Sequence, residues 1–356
     1  MAPYLFLFFV SLLGITALSK RRAYIYVLLL LMCVIIALRG MSVGTDTYGY
    51  SETYNHLSLN PNSWDYHVVF DPGFAVICYY FKTFISSNPL DCWGFMGIFY
   101  VFSFYFFAKK YSGNAGLALV LFVMYDSYFI GFNIIRQCFA LSCLMIVFTF
   151  FDLRQLCVKS RIFTFLLVAL IAYMFHQTMF IFCLIPIISS PFIMKFVNKK
   201  ILLAIIVGSF FVNVSGLAVN YAISFLDSTG IEGKLINYMS HVYQDESGYS
   251  ILKLSLINTF MAFVIYVSNN VKNVFLLTGI MGIVVLNLLG PVVMEFVRVY
   301  ESLMVFCLIY FVQMTVKGEY HTNIRIYYPV MFIIMTVLCL NYIIKGYGEI
   351  LPYVFR

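Results

Sequence analysis

The chain has 356 residues, of which 63% are apolar and only 10% are charged, and its mean hydropathy is +0.94. This composition excludes a soluble globular protein, because so few charges would leave large apolar patches in water. It also excludes a disordered chain, which needs low hydrophobicity. The net charge of +7 comes from scattered basic residues without a basic stripe, so no nucleic-acid partner is expected. We therefore predict an all-α polytopic membrane protein, formed as a single integral membrane domain over residues 1–356.

Apolar segments long enough to cross a bilayer recur along the chain. A membrane-spanning helix needs about 20 apolar residues, and helices are expected because lipid cannot satisfy free backbone groups. We predict about twelve spans on this basis. Their expected ranges are 3–19, 23–38, 92–108, 115–131, 132–152, 162–176, 177–195, 201–219, 251–268, 273–290, 294–314 and 326–344.

Two long polar segments, 39–91 and 220–250, interrupt this pattern. Within the first, residues 74–85 are apolar, and we predict a re-entrant or interfacial helix there, with a true span as the alternative. If 74–85 does not cross, the basic clusters all fall on one side, which fits the positive-inside rule. Both polar segments and the N-terminus then lie outside. The clusters, which hold 14 of the 22 basic residues, are Lys20, Arg21 and Arg22; Lys109 and Lys110; Arg154, Lys159 and Arg161; Lys195, Lys199 and Lys200; Lys272; and Lys317 and Arg325.

Arg39 ends the second predicted helix and begins the sequence RGMSVGTDTYGY. Charged groups at membrane depth are costly and need a partner or a function. The glycines of this loop, such as Gly44, permit tight backbone geometry, and Asp46 lies between two threonines. An arginine, backbone amides and a carboxylate together can bind a phosphate and orient a hydroxyl. The alternative is a solvated loop in which Arg39 only marks the membrane interface.

Polar residues also begin the fifth predicted helix, in the sequence GFNIIRQCFA. Asn133, Arg136 and Gln137 could bind an anion from an adjoining cavity, or Arg136 could form a structural pair with Asp126. His176 lies between two apolar segments, where it is either an interfacial polar residue or a catalytic base. The predicted topology places it on the same face as Arg39 and Arg136.

A late helix carries Glu295, Arg298 and Glu301 at positions i, i+3 and i+6, which places them on one stripe. Arg298 could neutralise either acid, and the second carboxylate would then be free to face a cavity. A self-neutralised patch without a function is the other interpretation.

Several motifs of other enzyme classes do not occur in the sequence. There is no GxxxxGK[ST] phosphate loop, no HExxH, no GxSxG and no DxD, and the nine cysteines form no CxxC pair. We therefore predict no metal site and no cofactor.

Taken in chain order, these polar elements resemble the EpsG-like family of bacterial polysaccharide polymerases, which is related to the Wzy O-antigen and capsule polymerases. The resemblance extends from about residue 35 to about residue 345. The elements that carry it are Arg39 with VGTDT at 43–47 and Tyr50, Asp71-Pro72-Gly73, Asn133 with Arg136-Gln137, Phe175-His176, and Arg298 with Tyr300.

The resemblance implies a membrane glycosyltransferase of GT-C-like architecture in the bacterial inner membrane, with its active site facing the periplasm. Its substrates would be undecaprenyl-pyrophosphate-linked oligosaccharide repeat units, and its further partners membrane lipid, a chain-length regulator and a flippase. The expected pyrophosphate or leaving-group contacts are Arg39, Arg136 and Arg298. The expected catalytic bases are Asp46, His176 and Glu295. The other expected substrate-binding residues are Gly44, Thr45, Tyr50, Asp71, Asn133, Gln137 and Tyr300.

Three other functions compete with this prediction. An O-antigen ligase uses similar groups to transfer finished polymer to a lipid core. A transporter or flippase of lipid-linked sugars should place its charged groups near the bilayer midplane, whereas here they collect at one face. A membrane O-acyltransferase could use His176, but no accompanying Asn/Asp–His pattern supports it.

Overall fold

The computed structural model describes residues 1–58, 70–154, 156–215, 251–290, 295–316 and 324–356. The side chains of Ala17, Leu252, Glu295 and Ile324 lie outside this description. Within the described ranges every regular element is a helix, apart from one antiparallel bridge between Arg39 and Phe355. The all-helical class is therefore confirmed. The predicted polar segment 220–250 and residues 59–69 of the first polar segment lie outside the described residues.

The α-helices are numbered here in chain order over the described residues. They are α1 Ala2–Leu13, α2 Arg22–Ala37, α3 Thr47–His56, α4 Pro72–Phe84, α5 Pro89–Tyr111, α6 Ala115–Met124, α7 Ser127–Ile130, α8 Ile135–Phe150, α9 Val158–Phe175, α10 Leu184–Ile188, α11 Pro191–Phe196, α12 Lys199–Val214, α13 Ile251–Val267, α14 Val274–Leu289, α15 Glu295–Val316 and α16 Ile324–Lys345.

Four segments among the described residues are long and apolar enough to cross a membrane by length and composition. They are Pro89–Tyr111, Val158–Phe175, Phe296–Val316 and Arg325–Lys345. Shorter apolar helices, α1, α2 and α14 among them, occupy other predicted spans. The count of twelve spans and the GT-C-like architecture stay predictions.

Among the described residues, three of the predicted spans are not continuous helices. Residues 3–19 form α1 and, after a turn, a 3₁₀ helix over Ala17–Lys20. Residues 115–131 form α6 and α7, which are separated at Asp126, whose φ of 63° is left-handed. Asp is one of the few residues that adopt this conformation readily. Residues 177–195 form a 3₁₀ turn over Gln177–Cys183 followed by α10 and α11. Here Pro191 begins a new helix, since a proline cannot donate to the preceding turn.

The described chain divides into two compact units. The first unit consists of Met1–Pro186 together with Tyr328–Arg356, and the second unit of Ile187–Tyr327. The prediction of one integral membrane domain stays a prediction, and each unit is described by itself below.

In the first unit, α5 packs against α2 and α8. The approach to α2 is close, because a Cβ at Gly97 would lie 2.7 Å from the side chain of Ile36. At the start of α5, Trp93 is 1% exposed and stacks on Phe74 of α4 at 6.2 Å between ring centroids. Its indole Nε1 donates to Ser51 Oγ of α3 at 2.9 Å. One aromatic core therefore joins α3, α4 and α5.

The helix α4 is the apolar segment for which an interfacial position was predicted. Its thirteen residues extend about 20 Å, which is less than the roughly 30 Å of a bilayer core. It packs on α3, α5 and α9. Lys82 Nζ donates to the backbone oxygen of Asn55 at 2.6 Å, near the end of α3. The interfacial position of α4 stays a prediction.

The helix α9 exposes most of its surface. Its buried residues are Thr164, Val168 and Ala172. The large apolar side chains that it exposes are Val158, Ile162, Phe163, Phe165, Leu166, Leu170 and Tyr173. A helix with so many exposed large apolar side chains is typical of contact with lipid.

In the second unit, α12, α13 and α14 pack together, and α15 packs along α14. A buried polar network joins the first three. Asn287 Nδ2 of α14 donates to Ser209 Oγ of α12 at 2.8 Å and to Asn258 Oδ1 of α13 at 2.8 Å. Asn258 Nδ2 donates back to Asn287 Oδ1 at 3.0 Å. Such interhelical hydrogen bonds stabilise helix packing where water is excluded.

Candidate functional site

The loop between α2 and α3 has a fixed backbone path that starts at Gly44. The φ of Gly44 is 96°, and a Cβ there would overlap the carbonyl oxygen of Phe132. Only glycine fits this conformation and this close approach. The next residue, Thr45, donates its backbone N–H to Asn133 Oδ1 at 3.0 Å. Asn133, just before α8, therefore holds the VGTD sequence in place.

Arg39 lies beneath this loop and is 1% exposed. Its Nη1 donates to the backbone oxygens of Phe132 at 2.5 Å and Gly131 at 3.5 Å, and its guanidinium carbon lies 5.5 Å from the centroid of the Phe132 ring. Its Nε and Nη2 have no hydrogen-bond partner among the described residues. Burial lowers the pKa of Arg39 to about 10, so the side chain is still charged at neutral pH. It is a buried cation anchored to the turn before α8.

Arg136 on α8 joins the third predicted element to the first two. Its Nη1 forms an ion pair with Asp71 Oδ2 at 3.2 Å, and its Nε donates to Tyr50 Oη at 3.2 Å. Its guanidinium carbon lies 5.4 Å from the centroid of the Tyr50 ring. The Arg136 and Asp71 side chains are 20% and 17% exposed. The pair is thus partly exposed while it is held between α3, α4 and α8.

Two opposing effects act on the carboxyl group of Asp71. Burial raises its pKa above the ordinary value, and the charge of Arg136 lowers it by a smaller amount. A carboxylate with a raised pKa is a better proton acceptor than an exposed aspartate.

The start of α4 brings Asp71 to the end of α9. A Cβ at Gly73 would lie 2.8 Å from the backbone oxygen of Met174 and 3.0 Å from the ring of Phe175, so the two helices touch here. His176 follows directly, and its Nδ1 lies 2.7 Å from Thr178 Oγ1. The Asp-Pro-Gly and Phe-His elements are therefore neighbours in space, about 100 residues apart in sequence.

The four early elements thus come together in the first unit. Two of the predicted residues have particular environments. Asp46 precedes the first residue of α3 and accepts a hydrogen bond from Thr45 Oγ1 at 3.3 Å. Gln137 is 1% exposed in α8. For Arg136 the sequence left Asp126 open as a partner, and the structure pairs it with Asp71.

Residues near the end of the chain also belong to this region, and sequence reasoning did not find them. The backbone oxygen of Glu349 accepts the N–H of Gly44 at 3.1 Å. A Cβ at Gly348 would overlap the side-chain amide of Asn133. The signal that could have pointed to them is the closely spaced glycine pair Gly346 and Gly348 after the last apolar segment.

The late element lies in the second unit, near the start of α15. Ser302 Oγ donates to the backbone oxygen of Arg298 at 3.0 Å, and Tyr300 is 2% exposed. Glu301 has Arg298 and Lys253 of α13 as charged neighbours, and sequence reasoning did not include Lys253. The side chain of Glu295 lies outside the description. The roles of Glu295, Arg298 and Tyr300 in a common site with the first unit stay predictions.

Among the described residues, no group of three or more His, Cys, Asp or Glu side chains is close enough together to hold a metal ion.

The comparisons with known proteins give one family. The model of the EpsG family matches residues 22–355. No curated protein and no solved structure gives a significant match. Because the family match covers nearly the whole chain, including all five polar elements, this protein belongs to the EpsG family.

Proposed function

We propose that this protein is a polysaccharide polymerase that joins undecaprenyl-pyrophosphate-linked oligosaccharide repeat units at the outer face of the bacterial inner membrane. Membership of the EpsG family supports a polymerase role at the family level. The single observation that carries the site is the accessible pair of Arg136 and Asp71 with Tyr50 beside it.

The proposed reaction is a glycosyl transfer between two lipid-linked sugars. The bond from the donor's anomeric carbon to the pyrophosphate oxygen breaks, and a bond from that carbon to an acceptor hydroxyl oxygen forms. The hydroxyl proton passes to a base, and undecaprenyl pyrophosphate leaves with the bonding electron pair. The pyrophosphate link is already activated, so the reaction needs no nucleotide.

In this proposal Arg136 stabilises the negative charge that develops on the leaving pyrophosphate. A guanidinium suits this task because it is always charged and presents several donors in one plane. The Arg136 side chain is 20% exposed, so a phosphate can approach its guanidinium from solvent. Arg39 and Arg298 stay predicted contacts, although the burial of Arg39 means that it acts from beneath the loop unless the loop opens.

Asp71 joins Asp46, His176 and Glu295 as a candidate for the base. The sequence assigned Asp71 to substrate binding, but its raised pKa and its neighbour Arg136 also suit proton transfer. Arg136 would then hold the pyrophosphate of the donor and orient the carboxylate that deprotonates the acceptor. Tyr50 is 6% exposed, and its hydroxyl accepts the hydrogen bond from Arg136 Nε, so it supports the guanidinium from within the core.

The test is chain growth by the purified protein in liposomes. The substrate is the lipid-linked repeat unit. It is purified from a polysaccharide-producing strain that lacks this protein and therefore accumulates the unit. We expect polymer to form without added nucleotide, and Arg136→Ala to leave only single-repeat products. The matched control is Arg154→Ala, since Arg154 forms an exposed ion pair with Asp152.

The outcomes separate the competing functions. A ligase would leave repeat units unextended but transfer finished polymer to another acceptor. A flippase would move the repeat unit across the liposome membrane without extending it. Long polymer from the Arg136→Ala variant would contradict the role given to Arg136.

A further inference from the structure

Residues 346–356, called here the brace segment, run back from the end of α16 to the loop that carries the VGTD sequence. The N–H of Gly40 donates to the backbone oxygen of Val354 at 2.6 Å, and the N–H of Arg356 donates to the backbone oxygen of Leu38 at 3.1 Å. Together they form the antiparallel bridge around Arg39. The brace segment is thus bonded directly to the backbone on both sides of the buried arginine.

Two tyrosine side chains attach the brace segment to α1 and α2. Tyr4 Oη donates to the backbone oxygen of Ile350 at 3.1 Å, and Tyr353 Oη donates to the backbone oxygen of Ile35 at 2.7 Å. The rings of Tyr4 and Tyr353 meet edge to face at 5.2 Å, and Ile350 is fully buried. The segment is therefore held in the first unit at Ile350 and Tyr353, whereas the side chains of Val354 and Phe355 are exposed.

A turn at the start of the brace segment aims one backbone oxygen at the loop. Gly346, Gly348 and Glu349 have φ values of 61°, 70° and 52°. This left-handed path brings the oxygen of Glu349 to the N–H of Gly44. It also places Gly348 against Asn133, the residue that binds the N–H of Thr45.

We propose that the brace segment is a positioning element of the site. It clamps the loop at Gly40 and Gly44 and presses Asn133 against Thr45, so that Asp46 is held in a fixed place relative to Arg136. It does not touch the reacting atoms. This inference rests on the proposed function, in which loop and ion pair act on the same substrate.

The physical reason is the glycine content of the loop. Glycines leave a free loop many conformations, and fixing them has an entropic cost. Contacts that exist before substrate binds remove that cost from the catalytic step, and small displacements of positioned groups lower rates strongly. The backbone hydrogen bonds of the brace segment and its contact with Asn133 can do this although the brace segment itself does not bind substrate.

The test uses Gly348→Ala in the full-length protein, with Gly208→Ala as the matched control. A Cβ at Gly348 meets Asn133 and is strained at positive φ, whereas a Cβ at Gly208 in α12 meets no atom within 4 Å. We expect Gly348→Ala to lower kcat for chain growth by on the order of tenfold or more, with KM for the lipid-linked repeat unit little changed. Gly208→Ala should change neither.

A second readout follows the loop itself and does not depend on activity. Val43 is fully buried and Ser42 is exposed. In a Cys157→Ser background, Val43→Cys should resist a maleimide reagent and become reactive when Gly348→Ala is added. Ser42→Cys should react in both backgrounds.

The two readouts separate the possible failures. If Gly348→Ala leaves Val43→Cys protected, the brace segment does not hold the loop and the inference is wrong. If the thiol becomes reactive but kcat is unchanged, the loop position is irrelevant to catalysis and the inference is also wrong. If the unaltered protein extends no chains, the proposed function fails, while the labelling result still decides whether the segment holds the loop.

Discussion

Arg136 is the residue on which most of the proposed chemistry depends. It binds a carboxylate, a phenol hydroxyl and the face of an aromatic ring from one planar group. A lysine keeps the charge but offers a point donor on a flexible stem. Charge alone is therefore not expected to preserve its function.

The first prediction concerns the substitution Arg136→Lys. We expect kcat/KM for chain growth to fall by on the order of tenfold or more, because one ammonium cannot replace the planar arrangement of donors. The initial rate of chain growth at low substrate concentration measures this, and a gel shows the length distribution of the polymer. Arg154→Lys, made at an exposed ion pair, should leave the distribution unchanged. Unaltered polymer length with Arg136→Lys would mean that only the charge matters.

The second prediction concerns pH. If Asp71 accepts the proton, activity falls as the pH drops through its pKa in the folded protein, which burial holds above the ordinary 3.8. The charge of Arg136 lowers the pKa of Asp71 in part. In the Arg136→Gln variant this pKa should therefore be higher, and the residual activity should begin to fall at a higher pH than in the wild type. A plot of log kcat against pH measures the shift. An acid limb that stays in place would assign the base to another residue.

The same shift has a consequence for stability. Because the pKa of Asp71 is raised in the folded protein, protonated Asp71 is favoured there over the unfolded chain. Protonation of Asp71 therefore stabilises the fold below the ordinary pKa of an aspartate, and this stabilisation is lost as the pH rises through the pKa of the folded protein. Asp71→Asn should therefore gain stability relative to the wild type as the pH is raised from acid to neutral. Thermal unfolding in detergent at several pH values measures this.

The residues of the site could be predicted from the sequence only in part. Arg39, Asn133, Arg136 and His176 stand out because polar groups are rare in so apolar a chain. The pairing of Arg136 with Asp71 could not be predicted, because it depends on how α4 and α8 pack. The contact of Gly348 with Asn133 has no local signal beyond a glycine pair.

At the scale of the elements, hydropathy located the helices better than their interruptions. The break at Asp126 replaces part of one span by two helices, and no proline or glycine marks it. The break before α11 was visible as Pro191, but the surrounding residues are apolar enough to suggest one continuous span. Backbone breaks inside apolar segments depend on packing partners that hydropathy does not include.

The third prediction concerns the polar network that joins α12, α13 and α14. Asn287→Leu leaves Asn258 and Ser209 without the amide they share, so we expect a loss of about 1–2 kcal/mol in the free energy of unfolding. Unfolding in detergent measures it.

The control for this network is the double variant Asn258→Leu with Asn287→Leu. Removing both partners leaves fewer unpaired groups, so its effect should be smaller than the sum of the two single effects. Fully additive losses would show that the two asparagines act independently.

At the scale of the whole molecule, the distribution of charge predicts an orientation that can be measured directly. The fourth prediction uses two cysteine variants in a Cys157→Ser background, Tyr48→Cys and Lys109→Cys, at exposed positions on either side of α4. The cells are first freed of their cell wall and of any outer membrane, while the inner membrane stays intact. We expect a membrane-impermeant maleimide added to these cells to label Tyr48→Cys. Lys109→Cys should be labelled only after permeabilisation.

This labelling also tests the interfacial position of α4. If α4 does not cross, only α5 separates the two positions, and they lie on opposite sides. Labelling of both from the same side would mean that α4 is a true span and that the basic clusters are divided between the two faces.

The exposed surface of α9 has a consequence for how a lipid-linked substrate would reach the site. On the proposed function, the sugar and pyrophosphate lie near Asp71, and α9 ends beside it at His176. A polyprenyl tail can then remain among the acyl chains, along Leu166, Leu170 and Tyr173, and needs no enclosed passage. Loading and release become lateral diffusion within the bilayer plane, while the growing glycan extends into the aqueous phase. Tolerance for prenyl tails of different length follows directly from such an open flank.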